Sequence, residues 1–391
     1  MQDLFITKIH VDKVRNIKNL GIELSETERK HLILTGKNGS GKTSLLEAIR
    51  DRLKKAINYG RNGEKLQLSQ YSDSAKIGVG FEPDVSVSDW AKVIAVYIPA
   101  RTFRVPEITP PKTLEVYDVT AKPPLDKPMV AEIYKYLNNL KLQAAYPRSQ
   151  QEKEIIEKWF SNFVEILREI YACNELELLY DAGKKDFIIS MPGLDPFALN
   201  QMSDGYAAYL NIFMELLLRI DDGSGVVDFS APAIVLIDEI ETHLHVELQK
   251  RALPFLTKMF PNVQFIVATH SPFVITSIDN AVVFDLEKAA ALQSLGQDTN
   301  GARLDSSDSP LTSYSYEDIV EGFYDISGYS TTFEREFARY KELCHKGRLT
   351  PDEKTERAKL KVKLSLIPAS AKTLAYQIAQ FEKEGDVNGQ D

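Results

Sequence analysis

An eight-residue segment, GKNGSGKT, combines glycines, a lysine and a threonine at a spacing that suits phosphate binding. It lies between the apolar run His31–Thr35 and the helix-forming run Ser44–Ile49. Glycines let the backbone turn successive N–H groups toward a phosphate chain, and the helix start adds partial positive charge. We predict that Lys42 reaches the β- and γ-phosphates of a nucleotide and that Thr43 holds Mg²⁺. The candidate contacts in this phosphate loop are Gly36, Lys37, Asn38, Gly39, Ser40, Gly41, Lys42, Thr43 and Ser44.

Two adjacent carboxylates follow a second apolar run, Ala233–Ile237. Such a run is typical of a buried strand in a parallel sheet, and ligands bind at the carboxyl edge of such a sheet. We predict that Asp238 holds the metal, directly or through water, and that Glu239 orients and deprotonates the attacking water. With a phosphate loop upstream, the pair indicates phosphoryl transfer to water.

A third apolar run predicts a strand from Gln264 to His270, which Ser271 and Pro272 would break. The strand would bring His270 to the same edge of the sheet. An imidazole there can hydrogen-bond a γ-phosphate and report whether that phosphate is present. A purely structural histidine is the alternative, and the position after the Asp-Glu strand favours the functional role.

The triplet Ser203-Asp204-Gly205 stands directly before an amphipathic run, Tyr206–Ile220, which predicts a helix. The residues alone leave two interpretations open. In the first, Ser203 or Asp204 is an ordinary N-cap, because Ser and Asp side chains accept hydrogen bonds from the free N–H groups of a first turn. In the second, the helix start binds an anion.

These elements, in this order, resemble the ABC class of P-loop ATPases. The segment Ile9–Ile17, followed by GKNGSGKTSLLEAI, DEIETHLHVELQ and ATHSP, is similar to the RecF, SMC and OLD-like branch of that class (AAA ATPases). The resemblance covers roughly residues 1–100 and 185–290.

The resemblance implies ATP and Mg²⁺ as ligands, with Arg15 and Asn16 as further candidate nucleotide contacts. It also implies that Ser203, Asp204 and Gly205 form a signature that contacts the γ-phosphate bound to a second subunit. The expected assembly is a homodimer or higher homo-oligomer whose heads close around nucleotide.

The ABC class usually has a glutamine loop between the phosphate loop and the signature, and the sequence does not assign its equivalent. Val93–Arg101 predicts a strand and a turn at about that position. Arg101 or Arg104 is the candidate polar sensor there, and a solvated loop arginine is the alternative.

The predicted fold is α/β, an ABC-type P-loop ATPase head with a mixed sheet flanked by helices, a short helical insertion and a helical C-terminal region. The predicted regions are 1–104, the N-terminal lobe with the phosphate loop; 105–184, a loop and helical insertion; 185–290, the C-terminal lobe; and 291–391, a linker and helices with a disordered tail.

The insertion begins with the proline-rich stretch Val105–Pro128, which predicts a long loop because proline suits neither a helix interior nor a central strand. An amphipathic helix with a core-facing stripe is predicted after it. The stripe consists of Ile156, Trp159, Phe160, Phe163, Leu167 and Ile170. No sustained heptads and no Cys-x-x-Cys hook occur in the sequence, which argues against the long coiled-coil arms of SMC proteins.

Composition predicts a cytoplasmic protein. Of 391 residues, 43% are hydrophobic and 26% charged, and no apolar run approaches a membrane span. The first residues lack the pattern of a secretory signal, and Cys173 and Cys344 are expected to be plain thiols. The net charge of −9 does not indicate nucleic-acid binding, although a local basic groove would still permit it.

Two further groups of charged or histidine side chains are predicted to have structural rather than ligand-binding roles. A basic strip near the C-terminus is expected to be a solvated helix face, with nucleic acid or an acidic partner as the alternative. The strip consists of Lys354, Arg357, Lys359, Lys361 and Lys363. His243 and His245 are expected to pack at the subunit interface rather than bind zinc, because no third ligand is evident.

The preferred functional hypothesis is an ATPase switch that controls a separate effector protein, a nuclease or toxin. It rests on similarity to the ATPase subunits of antiphage systems such as Septu and PARIS. The alternative is a DNA-binding repair or chromosome-maintenance ATPase of the RecF or SMC type. A nuclease within the chain is disfavoured because no Asp-x-Asp follows His270 and His345 is the one later histidine. A non-hydrolysing role for ATP is disfavoured by the intact Lys42, Asp238 and Glu239.

Overall fold

The computed structural model describes residues 5–62, 76–82, 94–99, 132–220, 229–291, 311–316, 318–323, 330–346 and 348–365. The chain divides into two compact units, Met1–Tyr316 and Glu317–Asp391. The predicted loop Val105–Pro128, the candidate sensors Arg101 and Arg104, and the C-terminal tail lie outside the described residues. The four regions predicted from the sequence stay predictions.

The first unit contains both strands and helices. Its strands are β1 (Phe5–Val14), β2 (Ile17–Glu23), β3 (His31–Thr35), β4 (Lys76–Glu82), β5 (Ala95–Ile98), β6 (Glu177–Asp181), β7 (Asp186–Ser190), β8 (Phe197–Ala198), β9 (Ala233–Asp238), β10 (Val263–Ala268), β11 (Ala281–Asp285) and β12 (Ala290–Ala291). Its α-helices are α1 (Lys42–Asn62), α2 (Ile133–Ala145), α3 (Gln150–Tyr171), α4 (Asp204–Ile220), α5 (Val246–Met259) and α6 (Pro272–Ile275). Short 3₁₀ helices cover Leu199–Gln201 and Leu311–Ser313.

The central sheet has the strand order β12-β11-β3-β10-β9-β5. All neighbouring pairs are parallel except β11 with β12, so the predicted mixed sheet is confirmed. β3, β9 and β10 are buried along their whole length, as strands covered on both faces must be. Helix α1 packs against β5, β9 and β10, and α4 packs against β5.

Three central strands end side by side. Ala268, the last residue of β10, pairs with Leu34 of β3 on one side and with Asp238 of β9 on the other. Because the three strands run in the same direction, the residues that follow them emerge at one edge of the sheet.

Two smaller antiparallel sheets flank this layer, with the orders β2-β1-β4 and β6-β7-β8. One hydrophobic cluster joins the first of these sheets to α1 and to the central sheet. Leu45, Leu46 and Ile49 supply the apolar face of α1 in that cluster. The start of α1, which carries the end of the phosphate loop, is therefore anchored between two sheets.

The helix predicted in the insertion is confirmed as α3, and all six residues of its apolar stripe are buried. Ser149 caps the helix by accepting a hydrogen bond from the Glu152 N–H at 3.1 Å. The Trp159 ring stacks on Phe163 and meets Tyr136 of α2 edge-on. The stripe is core, as expected for aromatic residues at helical spacing.

The second unit contains a π-helix, Asp318–Phe323, and the helices α7 (Thr331–His345) and α8 (Pro351–Ser365). The Arg339 guanidinium of α7 donates two hydrogen bonds to the Glu356 carboxylate of α8, at 3.1 and 2.9 Å. In the basic strip of α8, Lys363 pairs with Glu336 at 2.5 Å. No helix in the described parts of either unit has both the length and the apolar character needed to cross a membrane.

Candidate nucleotide site

The phosphate loop adopts a backbone shape that requires glycine. Gly36, Gly39 and Gly41 have φ angles of 128°, 85° and 103°, which side-chain-bearing residues rarely adopt. A Cβ atom on Gly41 would lie 2.9 Å from the Cδ1 atom of Ile17, and one on Gly36 would lie 3.1 Å from the Ser40 hydroxyl. The loop therefore turns tightly between β3 and α1, as its spacing predicted.

Lys42 fills the centre of this loop and is only 6% exposed. Its Nζ atom donates hydrogen bonds to the carbonyl oxygens of Gly36 at 2.8 Å and Lys37 at 3.2 Å. Burial lowers the pKa of Lys42, and the nearby carboxylates of Asp238 and Glu241 oppose that shift. The ammonium group is thus held where a phosphate chain would run along the loop.

Thr43 and Asp238, the two predicted metal ligands, contact each other through a side-chain hydrogen bond. Asp238 is 4% exposed, and its Oδ1 atom has no hydrogen-bond partner among the described residues. A buried carboxylate oxygen without a partner is costly, and oxygen donors are the ligands that Mg²⁺ prefers. The pair therefore fits a divalent cation that also binds phosphate oxygens.

Glu239 follows directly after β9, in a left-handed backbone conformation with φ 51°. Its Oε2 atom accepts a hydrogen bond from the Thr242 hydroxyl at 3.3 Å. Non-glycine residues in this conformation are uncommon and cluster at functional sites. Burial raises the pKa of the Asp238 carboxyl, and Glu239 lies close enough for its charge to raise that pKa further.

The strand predicted to run through His270 is shorter, because β10 ends at Ala268. The carboxylate of Glu241 accepts hydrogen bonds from the Thr269 hydroxyl at 2.7 Å and from the His270 N–H at 2.6 Å. These bonds replace the sheet as the anchor of His270. The sequence prediction was wrong at this strand end because a contact with a distant segment decides it.

The His270 side chain lies near Lys42, as the prediction of a shared edge required. Burial lowers the pKa of the imidazole and the charge of Lys42 lowers it further, against the opposing effects of Glu241 and Glu239. The imidazole is therefore neutral at neutral pH, and one ring nitrogen is free to donate a hydrogen bond.

Glu241 and Gln249 are the residues that sequence reasoning missed at this edge. Glu241 lies two residues after Glu239 in the sequence. Gln249 accepts a hydrogen bond from the Ser271 hydroxyl at 2.7 Å and donates one to the Leu244 carbonyl at 2.9 Å. Both side chains connect the segment after β9 to the segment after β10.

Arg15 and Asn16 form the exposed turn between β1 and β2. Arg15 has φ 49°, and its Nη2 atom lies 3.4 Å from Glu47 of α1. The next residue, Ile17, is the one that a side chain on Gly41 would strike. The turn therefore lies beside the phosphate loop, while its contact with nucleotide stays a prediction.

The signature triplet lies at the start of α4, which begins at Asp204. Ser203 and Asp204 are exposed, and the Ser203 carbonyl accepts the Ala207 N–H at 2.9 Å. A Cβ atom on Gly205 would lie 3.4 Å from the His243 carbonyl oxygen. Gly205 thus packs closely within its own chain, whereas Ser203 is exposed.

A cavity of about 760 Å³ opens beside this helix start. Ser203 and Gly205 line one side of it, and His243, His245 and Arg251 line another. Both histidines are exposed, and His243 has φ 66°. Across the described ranges, no three His, Cys, Asp or Glu side chains are grouped so as to hold a metal ion.

Comparison with known proteins identifies the class of this site. A family described as "AAA domain, putative AbiEii toxin, Type IV TA system" matches residues 121–276, which contain the signature, the Asp-Glu pair and His270. The chain is 24% identical over 321 residues to the Septu protein PtuA of Bacillus mycoides, and 23% identical over 416 residues to PtuA of Bacillus thuringiensis. The chain is therefore similar to ABC-type P-loop ATPases of the RecF- and SMC-like branch.

The extent of these matches differs. The first covers 72% of this chain and 40% of the B. mycoides protein, and the second covers 97% of this chain and 98% of the B. thuringiensis protein. Among solved structures, the SMC head domain from Thermotoga maritima is 13% identical with a TM-score of 0.39, over 72% of this chain and 94% of that chain.

The buried Asp238 generates a prediction about stability. Burial raises its pKa from 3.8 to about 6, so the folded state binds more protons than the unfolded state between these values. Without metal, stability from this group therefore falls as pH rises through that window, by up to about 3 kcal/mol. Asp238→Asn should remove this loss and stabilise the metal-free protein above pH 6.

The measurement is the free energy of unfolding of both proteins from pH 4 to 7.5 in EDTA, by denaturant titration. The difference between Asp238→Asn and wild type should grow in favour of the variant as pH rises. A difference that is independent of pH would contradict the assigned ionisation.

Proposed function

We propose that this ATPase binds ATP with Mg²⁺ between two copies of the chain, and that hydrolysis switches a separate effector in antiphage defence. The observation that carries the proposal is the joint presence of Lys42, Thr43, Asp238, Glu239 and His270 at one edge of the central sheet. Each step of phosphoryl transfer has a suitable group among them.

The chemistry assigned to each residue follows from its contacts. Lys42 exchanges its two loop carbonyls for phosphate oxygens, and Glu239 orients water and accepts its proton. Thr43 and Asp238 hold Mg²⁺, which would neutralise charge on the phosphates. His270, kept neutral by its surroundings, donates a hydrogen bond to the γ-phosphate.

The second copy is proposed because the chain has two helix starts suited to an anion. The first is the start of α1, which its own phosphate loop uses. The second is the start of α4, where Ser203 and Asp204 are exposed beside a cavity. A symmetric pair would let each copy supply its α4 start to the nucleotide of the other.

The effector is proposed from the relatives and from charge. Two matched proteins are named for Septu, and a match of 38% identity over 89 residues is a probable ATPase of Retron Ec83 from Escherichia coli. The chain carries a net charge of −9, and Lys363 of the basic strip is already paired with Glu336. Because duplex DNA is negatively charged, an acidic chain is better suited to bind a protein partner than to bind DNA. The site of action is proposed to be the cytoplasm.

Two variants test the hydrolytic assignment. Lys42→Ala should abolish ATP binding, and Glu239→Gln should bind ATP but hydrolyse it about 10²- to 10⁴-fold more slowly, because the general base is lost. The matched control is Glu177→Gln, which makes the same replacement at an exposed glutamate of β6. It should bind and hydrolyse ATP as wild type does. Radiolabelled ATP binding and phosphate release measure both steps. A Glu239→Gln protein with wild-type turnover would show that the base is misassigned.

Mixing tests the composite site. Ser203→Arg and Lys42→Ala should each be inactive alone, and an equal mixture should regain about a quarter of wild-type turnover, because half of the pairs are mixed and each holds one intact site. Ser203 is preferred to Gly205 because it is exposed, whereas Gly205 packs against its own chain. Gly205→Ala should retain activity. Full activity of Ser203→Arg alone, or no recovery although mixed pairs form, would refute the composite site.

Charge predicts weak binding of the purified chain to random duplex DNA, with a dissociation constant of about 10⁻⁴ to 10⁻⁶ M at physiological salt. Fluorescence anisotropy across a salt series measures it. Tight binding that persists at high salt would instead favour a repair ATPase of the RecF or SMC type.

A further inference from the structure

The carboxylate of Glu241 connects the segment after β9, which contains Glu239, to the segment after β10, which contains His270. One oxygen, Oε1, accepts the His270 N–H at 2.6 Å, and the other, Oε2, accepts the Thr269 hydroxyl at 2.7 Å. Glu241 itself lies in the turn that begins at Glu239. Charge-assisted bonds of this length are among the stronger hydrogen bonds in proteins.

The bonds continue beyond Glu241. The Thr269 Oγ1 atom accepts the Ser271 N–H at 3.0 Å, and the Ser271 hydroxyl donates to Gln249 at 2.7 Å. Gln249 returns to the first segment through its bond to the Leu244 carbonyl. The residues after β9 and those after β10 thus form one closed hydrogen-bonded network.

This network decides where His270 lies. The sheet holds the backbone only as far as the Thr269 N–H, which donates to the Leu34 carbonyl at 3.0 Å. The next N–H, that of His270, is held by Glu241 alone among the hydrogen bonds of the described residues. A small shift of the Glu241 carboxylate would therefore move the imidazole relative to Lys42.

We propose that Glu241 is a positioning residue for ATP hydrolysis: it does not touch nucleotide, and it fixes His270 relative to Glu239 so that both face the γ-phosphate together. This rests on the proposed hydrolytic function. The role needs two acceptor atoms on one side chain. Gln offers one acceptor and keeps the length, whereas Asp keeps both acceptors but is one methylene too short.

The test compares kcat and the dissociation constant of ATP for wild type, Glu241→Ala, Glu241→Gln, His270→Ala and Glu241→Ala with His270→Ala. Glu241→Ala should lower kcat about 10- to 100-fold, as misplacement of a reacting group does, and leave the ATP dissociation constant within about twofold. Glu241→Gln should fall between it and wild type. In the His270→Ala background, Glu241→Ala should add less than about a twofold further loss, because the residue acts through His270.

Asp181→Ala is the matched control, because Asp181 also accepts two hydrogen bonds in a turn, in its case from the backbone N–H groups of Gly183 and Lys184. It should retain wild-type kcat. Circular dichroism and thermal unfolding show whether the Glu241→Ala protein folds. If it does not fold, Glu241→Gln takes its place, alone and in combination with His270→Ala.

Losses that multiply in the double variant, or a Glu241→Ala protein with wild-type kcat, would overturn the positioning role. These outcomes are distinct from failure of the proposed function, in which wild type itself does not hydrolyse ATP and both proposals fall. A His270→Ala protein with wild-type kcat would overturn both the positioning role of Glu241 and the role of His270. It would not affect the role of Glu239 as the general base.

Discussion

The parallel alignment of β10 between β3 and β9 is the constraint on which the rest of the site depends. Ala268 pairs with both Leu34 and Asp238, so the three strands end at one edge. Hydrogen bonds of a parallel ladder are evenly spaced, and a shift of one residue would turn every side chain to the opposite face. The phosphate loop, the Asp-Glu pair and His270 come from distant parts of the sequence, and this register is what gathers them.

The site concentrates features that a protein interior otherwise avoids. The Lys42 ammonium is buried against carbonyl oxygens, Asp238 holds an oxygen without a described partner, and Glu239 and His243 adopt left-handed backbone conformations. Such arrangements reduce stability unless the surrounding structure holds them, and here α1 and the central sheet do so. Mg²⁺ would supply a partner for the Asp238 oxygen that has none among the described residues.

Much of this arrangement follows from local sequence. Apolar runs predicted β3, β9 and most of β10, and glycine spacing predicted the loop, because both depend on neighbours along the chain. The helical stripe around Trp159 was predicted for the same reason. The mixed character of the central sheet was predicted through the resemblance to ABC ATPases and is confirmed.

The remaining features depend on contacts between distant residues. The end of β10 at Ala268, the role of Glu241 as an anchor and the packing of Gly205 against His243 have no signature in local spacing. The first two arise when the segments after β9 and β10 are brought together, and the third arises when the start of α4 packs against the segment after β9. Sequence patterns specify which residues do chemistry more readily than which residues hold them in place.

If one copy of the chain completes the nucleotide site of another, a photoreactive group on the nucleotide should label the second copy across the interface. An ATP analogue with a photoreactive aryl azide on its γ-phosphate would be bound to the Ser203→Arg chain and mixed with Lys42→Ala chains of distinguishable mass. With a composite site, illumination should label residues 203–206 of the Lys42→Ala chain, which cannot bind the analogue itself. Label confined to the chain that holds the nucleotide, in mixtures where mixed pairs are shown to form, would contradict it.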